Sequence, residues 1–150
     1  MKRVFTLLLV LFAFTGCDDT DGGILCETGP VGFTFEVVNE TTGDNLFENE
    51  LFEESQLQIT NSDGEAVVFD YETDRNVVNV LLGWESKSDV YTVTIGDEIT
   101  FNFAFTLKKS SSGGCTSTKL TELEMSGATY ETSETSDVTT IFVSAGGSQY

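Results

Sequence analysis

In this chain of 150 residues, the side chains able to do chemistry are three cysteines, Cys17, Cys26 and Cys115, and 25 acids; there is no histidine. Without an imidazole, the commonest general base and a frequent transition-metal ligand are missing. A serine or cysteine nucleophile would have no histidine to take its proton. No glycine-rich phosphate loop followed by lysine is present. Paired carboxylates, as used in glycoside hydrolysis, are the only serious catalytic chemistry left. Twenty-five acids make such pairs inevitable by chance, so the sequence reads as a non-enzyme. A small carbohydrate-active enzyme is the catalytic alternative.

Calcium would suit so acidic a chain, since it takes hard oxygen ligands. An EF-hand loop with Gly64 at its sixth position has Asn61 and Asp63 in place but Ile59 first and Asp70 twelfth; one with Gly22 sixth has Cys17 first and Thr28 twelfth. Both fail. A structural calcium site gathered from Glu48, Glu50, Glu53 and Glu54 stays open, beside the plain reading of a solvated, charged loop. No cofactor is expected. A formal charge of −18 argues against nucleic acid as a partner, because its phosphates must be met by lysine and arginine.

The element that positions Cys17 is the amino-terminal segment. Lys2 and Arg3 precede an eleven-residue apolar run, Val4 to Phe14. At 1.5 Å per helical residue that run reaches about 17 Å, too short for a hydrocarbon core of about 30 Å, so it reads as the apolar region of an export signal. It ends in Phe14-Thr15-Gly16-Cys17. This resembles the bacterial lipoprotein lipobox, with Phe where Leu is commoner. The resemblance implies removal of residues 1–16 and lipidation of Cys17. Removing residues 1–16 takes away Lys2 and Arg3 and no acid, so the charge would go from −18 to −20. Several acyl chains at about 0.8 kcal/mol per buried CH₂ would give stable membrane anchoring.

After the cysteine, Asp18-Asp19-Thr20-Asp21-Gly22-Gly23 has almost nothing to bury, and residues 17–30 read as a flexible tether. An acidic run at this place is similar to the surface-export signal of Bacteroidetes lipoproteins, flavobacterial ones in particular. The resemblance implies an outer-membrane lipoprotein on the cell surface. A periplasm-facing position is the alternative, since aspartate directly after the cysteine also resembles the inner-membrane retention signal of enterobacteria.

With Cys17 assigned to lipid, Cys26 and Cys115 are left as an even pair in an exported, oxidising compartment, and a disulfide is the default expectation. It would close a loop of 89 residues. The two have neither a third ligand nor a neighbouring base in sequence, which makes a poor zinc site and gives no means of lowering a thiol pKa.

From residue 31 onward the chain is a series of short runs with period-two alternation. Phe33, Phe35 and Val37 alternate with polar residues, as do Leu57 and Ile59. Asn61 to Glu65 supplies a glycine-containing reversal into Ala66–Tyr71, which predicts a hairpin over 56–71. Residues 77–82 are apolar on both faces and predict a central, doubly covered strand. Gly83–Asp89 reads as a turn, and Val90–Ile95 as a strand. Ile99, Phe101, Phe103, Phe105 and Leu107 form the cleanest alternation and should be the core's centre. Ser110–Gly114 reads as a flexible loop, 116–125 and 138–143 as the last strands, with a short strand near Tyr130 between them. Asn45–Gln56 could hold a helical turn or two. The expectation is one all-β domain over 31–150, a single β-sandwich of seven to nine mostly antiparallel strands, immunoglobulin-like or transthyretin-like.

Phe35 to Leu46 carries a Thr42-Gly43 turn, Leu57 to Gly64 carries an Asp63-Gly64 turn, and Val90 to Thr94 follows as a Val-Tyr-Thr-Val-Thr strand. This is similar to the opening of transthyretin-like sandwich modules, including carboxypeptidase-regulatory-like domains. The resemblance implies a structural or adhesive role without catalytic residues. Trp84, the only tryptophan, stands in a turn where its face could meet a glycan or protein ligand, or else fold over the end of the sandwich. The expected function is a lipid-anchored binding, adhesion or envelope-assembly module. An accessory subunit docking to an outer-membrane complex through an open sheet edge is the alternative.

Overall fold

The structure, a computed structural model, describes residues 29–48, 51–133 and 135–144. The signal segment, Cys17, most of the tether and Cys26 lie outside the described residues. Alternation of large apolar and hydroxyl side chains makes nine strands among the described residues: β1 (Val31–Asn39), β2 (Leu57–Thr60), β3 (Phe69–Glu72), β4 (Val77–Gly83), β5 (Lys87–Ile95), β6 (Ile99–Ser112), β7 (Cys115–Ser126), β8 (Thr129–Thr132) and β9 (Val138–Val143). They form a five-stranded sheet in the order β3-β4-β1-β9-β8 and a four-stranded sheet in the order β2-β5-β6-β7. Every pairing is antiparallel except β1 with β9, which is parallel. The expected all-β sandwich is present.

The inner faces meet through aromatic rings. Phe33 lies 5.1 Å from Phe103, and Phe35 6.4 Å from Phe101 and 6.2 Å from Phe103, between ring centroids. Ile99, Phe101, Phe103, Phe105 and Leu107 are all buried, as their spacing predicts. Leu46 and Phe47 plug one end of the core from the segment after β1, and Phe47 packs 5.4 Å from Tyr71. At the other end Lys87 caps it, its ammonium 5.5 Å from the Tyr91 ring and 5.2 Å from that of Phe105.

Four local expectations are corrected. Residues 56–71 do not form a hairpin: β2 pairs with β5 and β3 with β4, in different sheets. Only a Thr60–Ala66 bridge and a Val67 N–H to Ile59 O bond of 2.8 Å mark the reversal before the chain crosses over. β4 is interior to its sheet but not covered along both faces: Val78, Val80 and Leu82 are buried on the inner face, whereas the outer face is buried at Val77 and 64% exposed at Leu81. Residues 87–89 begin β5 and do not belong to the preceding turn. Ser110–Ser112 continue β6 and leave a two-residue turn at Gly113-Gly114, with Ser112 opposite Cys115. Both glycines have positive φ, +60° and +85°, which the tight mirror-type hairpin turn requires. β6 and β7 thus extend as a long two-stranded arm. In Asn45–Gln56 the only helical element among the described residues is one 3₁₀ turn, Glu54–Gln56, closed by a Glu53/Gln56 capping box.

Strand directions sort the loops into two ends. The start of β1, the end of β4, the start of β5 and the β6–β7 arm lie at one end, because Val31 is opposite Gly83 and Lys87 opposite Leu107. The far end of β1, the β3–β4 turn and the β5–β6 turn lie at the other.

Candidate functional site

β7 has twelve residues and β8 only four, so the flank of the sandwich beside β7 is incompletely covered. A groove of about 550 Å³ opens there. The mismatch is compounded by a bulge: Thr106 pairs with Glu122 and Leu107 with Leu120, so Thr121 is left over. The Thr121 hydroxyl donates to the Thr106 carbonyl at 3.1 Å. In a regular strand, residues three apart face opposite sides; the extra residue turns Leu120 and Leu123 to the same, inner side. Together with Phe33 and Tyr130 they give the groove apolar walls. The hydroxyls of Thr34, Thr121, Thr132 and Thr139 and the acids Glu122 and Asp137 line the rest. The Tyr130 hydroxyl donates to the Leu123 carbonyl at 3.0 Å, tying β8 of one sheet to β7 of the other. β7 pairs only with β6, so among the described residues its other edge has no strand partner.

A smaller hollow of about 340 Å³ lies on the outer face of the four-stranded sheet, where Val90, Ala104 and Glu124 line up across three strands. Ser62 donates to Asp89 at its rim, 2.8 Å away.

Trp84 stands on the turn between β4 and β5, 53% exposed, and lines neither hollow. The arm fixes that turn: the Thr118 hydroxyl donates to the Trp84 carbonyl, the Lys109 N–H donates to Ser86 Oγ at 3.0 Å, and the Lys109 ammonium pairs with Glu85. The turn is therefore held by two side chain–backbone bonds and an ion pair, while about half of Trp84 stays in solvent.

Cys115 opens β7 at the tip of the arm and is disulfide-bonded. Its expected partner, Cys26, and the lipidation residue, Cys17, lie outside the described residues. Of the acids considered for calcium, Glu50 lies outside the described residues too. Glu53 is engaged in its capping box, and no group of three or more acids, cysteines or histidines converges among the described residues. Glu54 stands near Tyr71; burial first and then that charge hold the Tyr71 phenol above its ordinary pKa. The same phenol donates to Asn76 Oδ1 at 2.9 Å, so its role is to seal the core's far end.

From sequence, Leu120 and Leu123 carry no site assignment and Tyr130 only marks a short strand. Their signal is there: Leu120-Thr-Glu-Leu123 breaks the period of two inside an otherwise alternating strand, which is how a bulge is written. No protein-family model matches the chain, and neither a curated protein nor a solved structure matches it.

Proposed function

We propose that this protein is a lipid-anchored envelope protein, held by Cys17 in the outer membrane and displayed at the cell surface, whose β-sandwich is a non-catalytic binding module. The flank groove beside β7 carries the reading of the module. Its mix of an aromatic ring, aliphatic walls, hydroxyls and carboxylates suits an extended polar ligand, a glycan chain before all, which stacks on a ring and exchanges hydrogen bonds with hydroxyls and acids. Cys26 is the proposed partner of Cys115. The accessory-subunit reading is favoured by a different observation, the edge of β7 that has no strand partner among the described residues, which a strand of another protein could extend.

The anchor is checked by Cys17→Ala: the variant leaves the membrane pellet after a high-salt wash, whereas wild type stays. Persistence of the variant in the pellet sinks the lipoprotein reading. The site is checked on a glycan array with Tyr130→Ala as the matched variant. Wild type gives a defined set of positive glycans and the variant loses about tenfold or more in signal, the scale on which one stacking aromatic counts. Glycans bound equally by both proteins would move the site elsewhere, and an empty array would leave the strand-edge reading in its place.

A further inference from the structure

We propose that the end of the sandwich carrying the β6–β7 arm docks onto the anionic, phosphate-bearing headgroups of the membrane that holds the anchor. The proposal rests on the lipoprotein reading above and concerns a surface that adjoins the flank groove at Leu120–Glu122. Cations are scarce and gathered at one end. Outside the first sixteen residues the chain has five, Arg75, Lys87, Lys108, Lys109 and Lys119, and the four lysines all lie at the arm end. From Lys108 to Thr121 there are three lysines and no acid. The opposite end holds Glu40, Asp44, Glu53, Glu54, Asp74, Asp97 and Glu98 with only Arg75 among them. Toward the arm end Glu85, Asp89 and Glu122 pair with three of the lysines, and Asp63 and Glu65 lie on the loop bonded to Asp89, so the basic surface is the acid-free ribbon from Lys108 to Thr121, and that ribbon is what turns toward an anionic surface.

The arm is also built in a way that an anion would complete. Lys108 and Lys119 are directly opposite in register, a like-charge pair that costs stability in a two-stranded ribbon. Acids answer the other lysines singly: Glu85 meets Lys109, Glu122 meets Lys108 at 3.7 Å with both side chains exposed, and Asp89 meets Lys87 at 3.7 Å. Among the described residues Lys119 has no ion-pair partner.

Apolar exposure coincides with this end. Leu81 (64% exposed) follows the Phe69–Val80 pair on β4, and Val68 (87% exposed) precedes that pair on the neighbouring chain segment, so the two sit side by side. Trp84 comes three residues later at the strand's end, beside Val31, where the chain arrives from the tether. Lysine with tryptophan and aliphatic side chains is the composition that settles at a bilayer interface. If Cys115 is joined to Cys26, nine residue steps separate Cys17 from the staple, a span of at most about 30 Å, which keeps the arm tip near the headgroups.

The test uses the lipidated full-length mature protein in vesicles, with Trp84 as the only indole. Vesicles of neutral phosphatidylcholine are compared with vesicles containing about 30% anionic phosphatidylglycerol, each with brominated acyl chains as a quencher and flotation as the measure of anchoring. Wild type floats with both, and Trp84 is quenched at least about twofold more in anionic vesicles, an excess that high salt removes. Lys108→Gln with Lys119→Gln floats equally but loses that excess; this pair relieves the like-charge opposition and so is safe for folding. Wild type that floats with equal quenching in both vesicles, or a double variant quenched like wild type, overturns the docking and leaves the lipoprotein reading intact. Failure to float overturns both.

Discussion

Phe103→Ala should lower the unfolding free energy by about 3–5 kcal/mol, read from the midpoint and slope of a denaturant titration. Phe103 is fully buried and its ring is the hub of the core. It touches Phe33 and Phe35 across the sheets at 5.1 and 6.2 Å, Tyr91 on β5 at 5.4 Å, and Phe105 along its own strand at 6.2 Å. The cost combines the lost transfer energy of the ring with a cavity that two hydrogen-bonded sheets cannot collapse to fill. A smaller loss, under about 1 kcal/mol, would mean that the sheets do not pack through this ring and that the sandwich is wrongly built.

Cys115→Ser is the second substitution with a large expected effect, about 2–5 kcal/mol under oxidising conditions and none in strong reductant. Chain-entropy reasoning puts closure of an 89-residue loop near the top of that range, about 4–5 kcal/mol. The partner is identified by the same measurement. Cys26→Ser should cost the same as Cys115→Ser, and the double variant no more than either, because both remove one bond. Additive losses would show that Cys26 is not the partner. The two effects are separable, since the disulfide lies at the arm tip, on a ribbon outside the core that Phe103 anchors.

How far the fold could be read from residues varied with what each signal depended on. Phe101, Phe103 and Phe105 announced a core strand because alternation and burial are both local properties. The reversal at Asn61–Glu65 was recognisable as a turn, yet it does not say which strands it joins. Whether β3 pairs with β2 or with β4 depends on the apolar match between paired strands, and β4 won with Val78 and Val80 opposite Tyr71 and Phe69. Ser110-Ser111-Ser112 looked like a linker, since serine is as common in loops as on exposed ribbons, but the two glycines after it set a tight hairpin and drew the serines into pairing. The groove was hidden for a related reason: Leu120 and Leu123 become neighbours only once Thr121 bulges, and Tyr130 reaches them from the other sheet.

The parallel pairing of β1 with β9 sets the order in which the chain can become a folded object. Glu36 and Thr140, 104 residues apart, bond at 2.7 Å, and β9 sits between β1 and β8 in the interior of its sheet. Such distant partners close late and slowly, because almost the whole chain must be present before they can meet. Until residues 138–143 have emerged, β1 offers an unsatisfied edge and the five-stranded sheet cannot form. A machine that threads this polypeptide through a channel while it is still being made therefore meets a five-stranded sheet that stays incomplete until residues 138–143 arrive, whereas the four-stranded sheet has all its strands by residue 126.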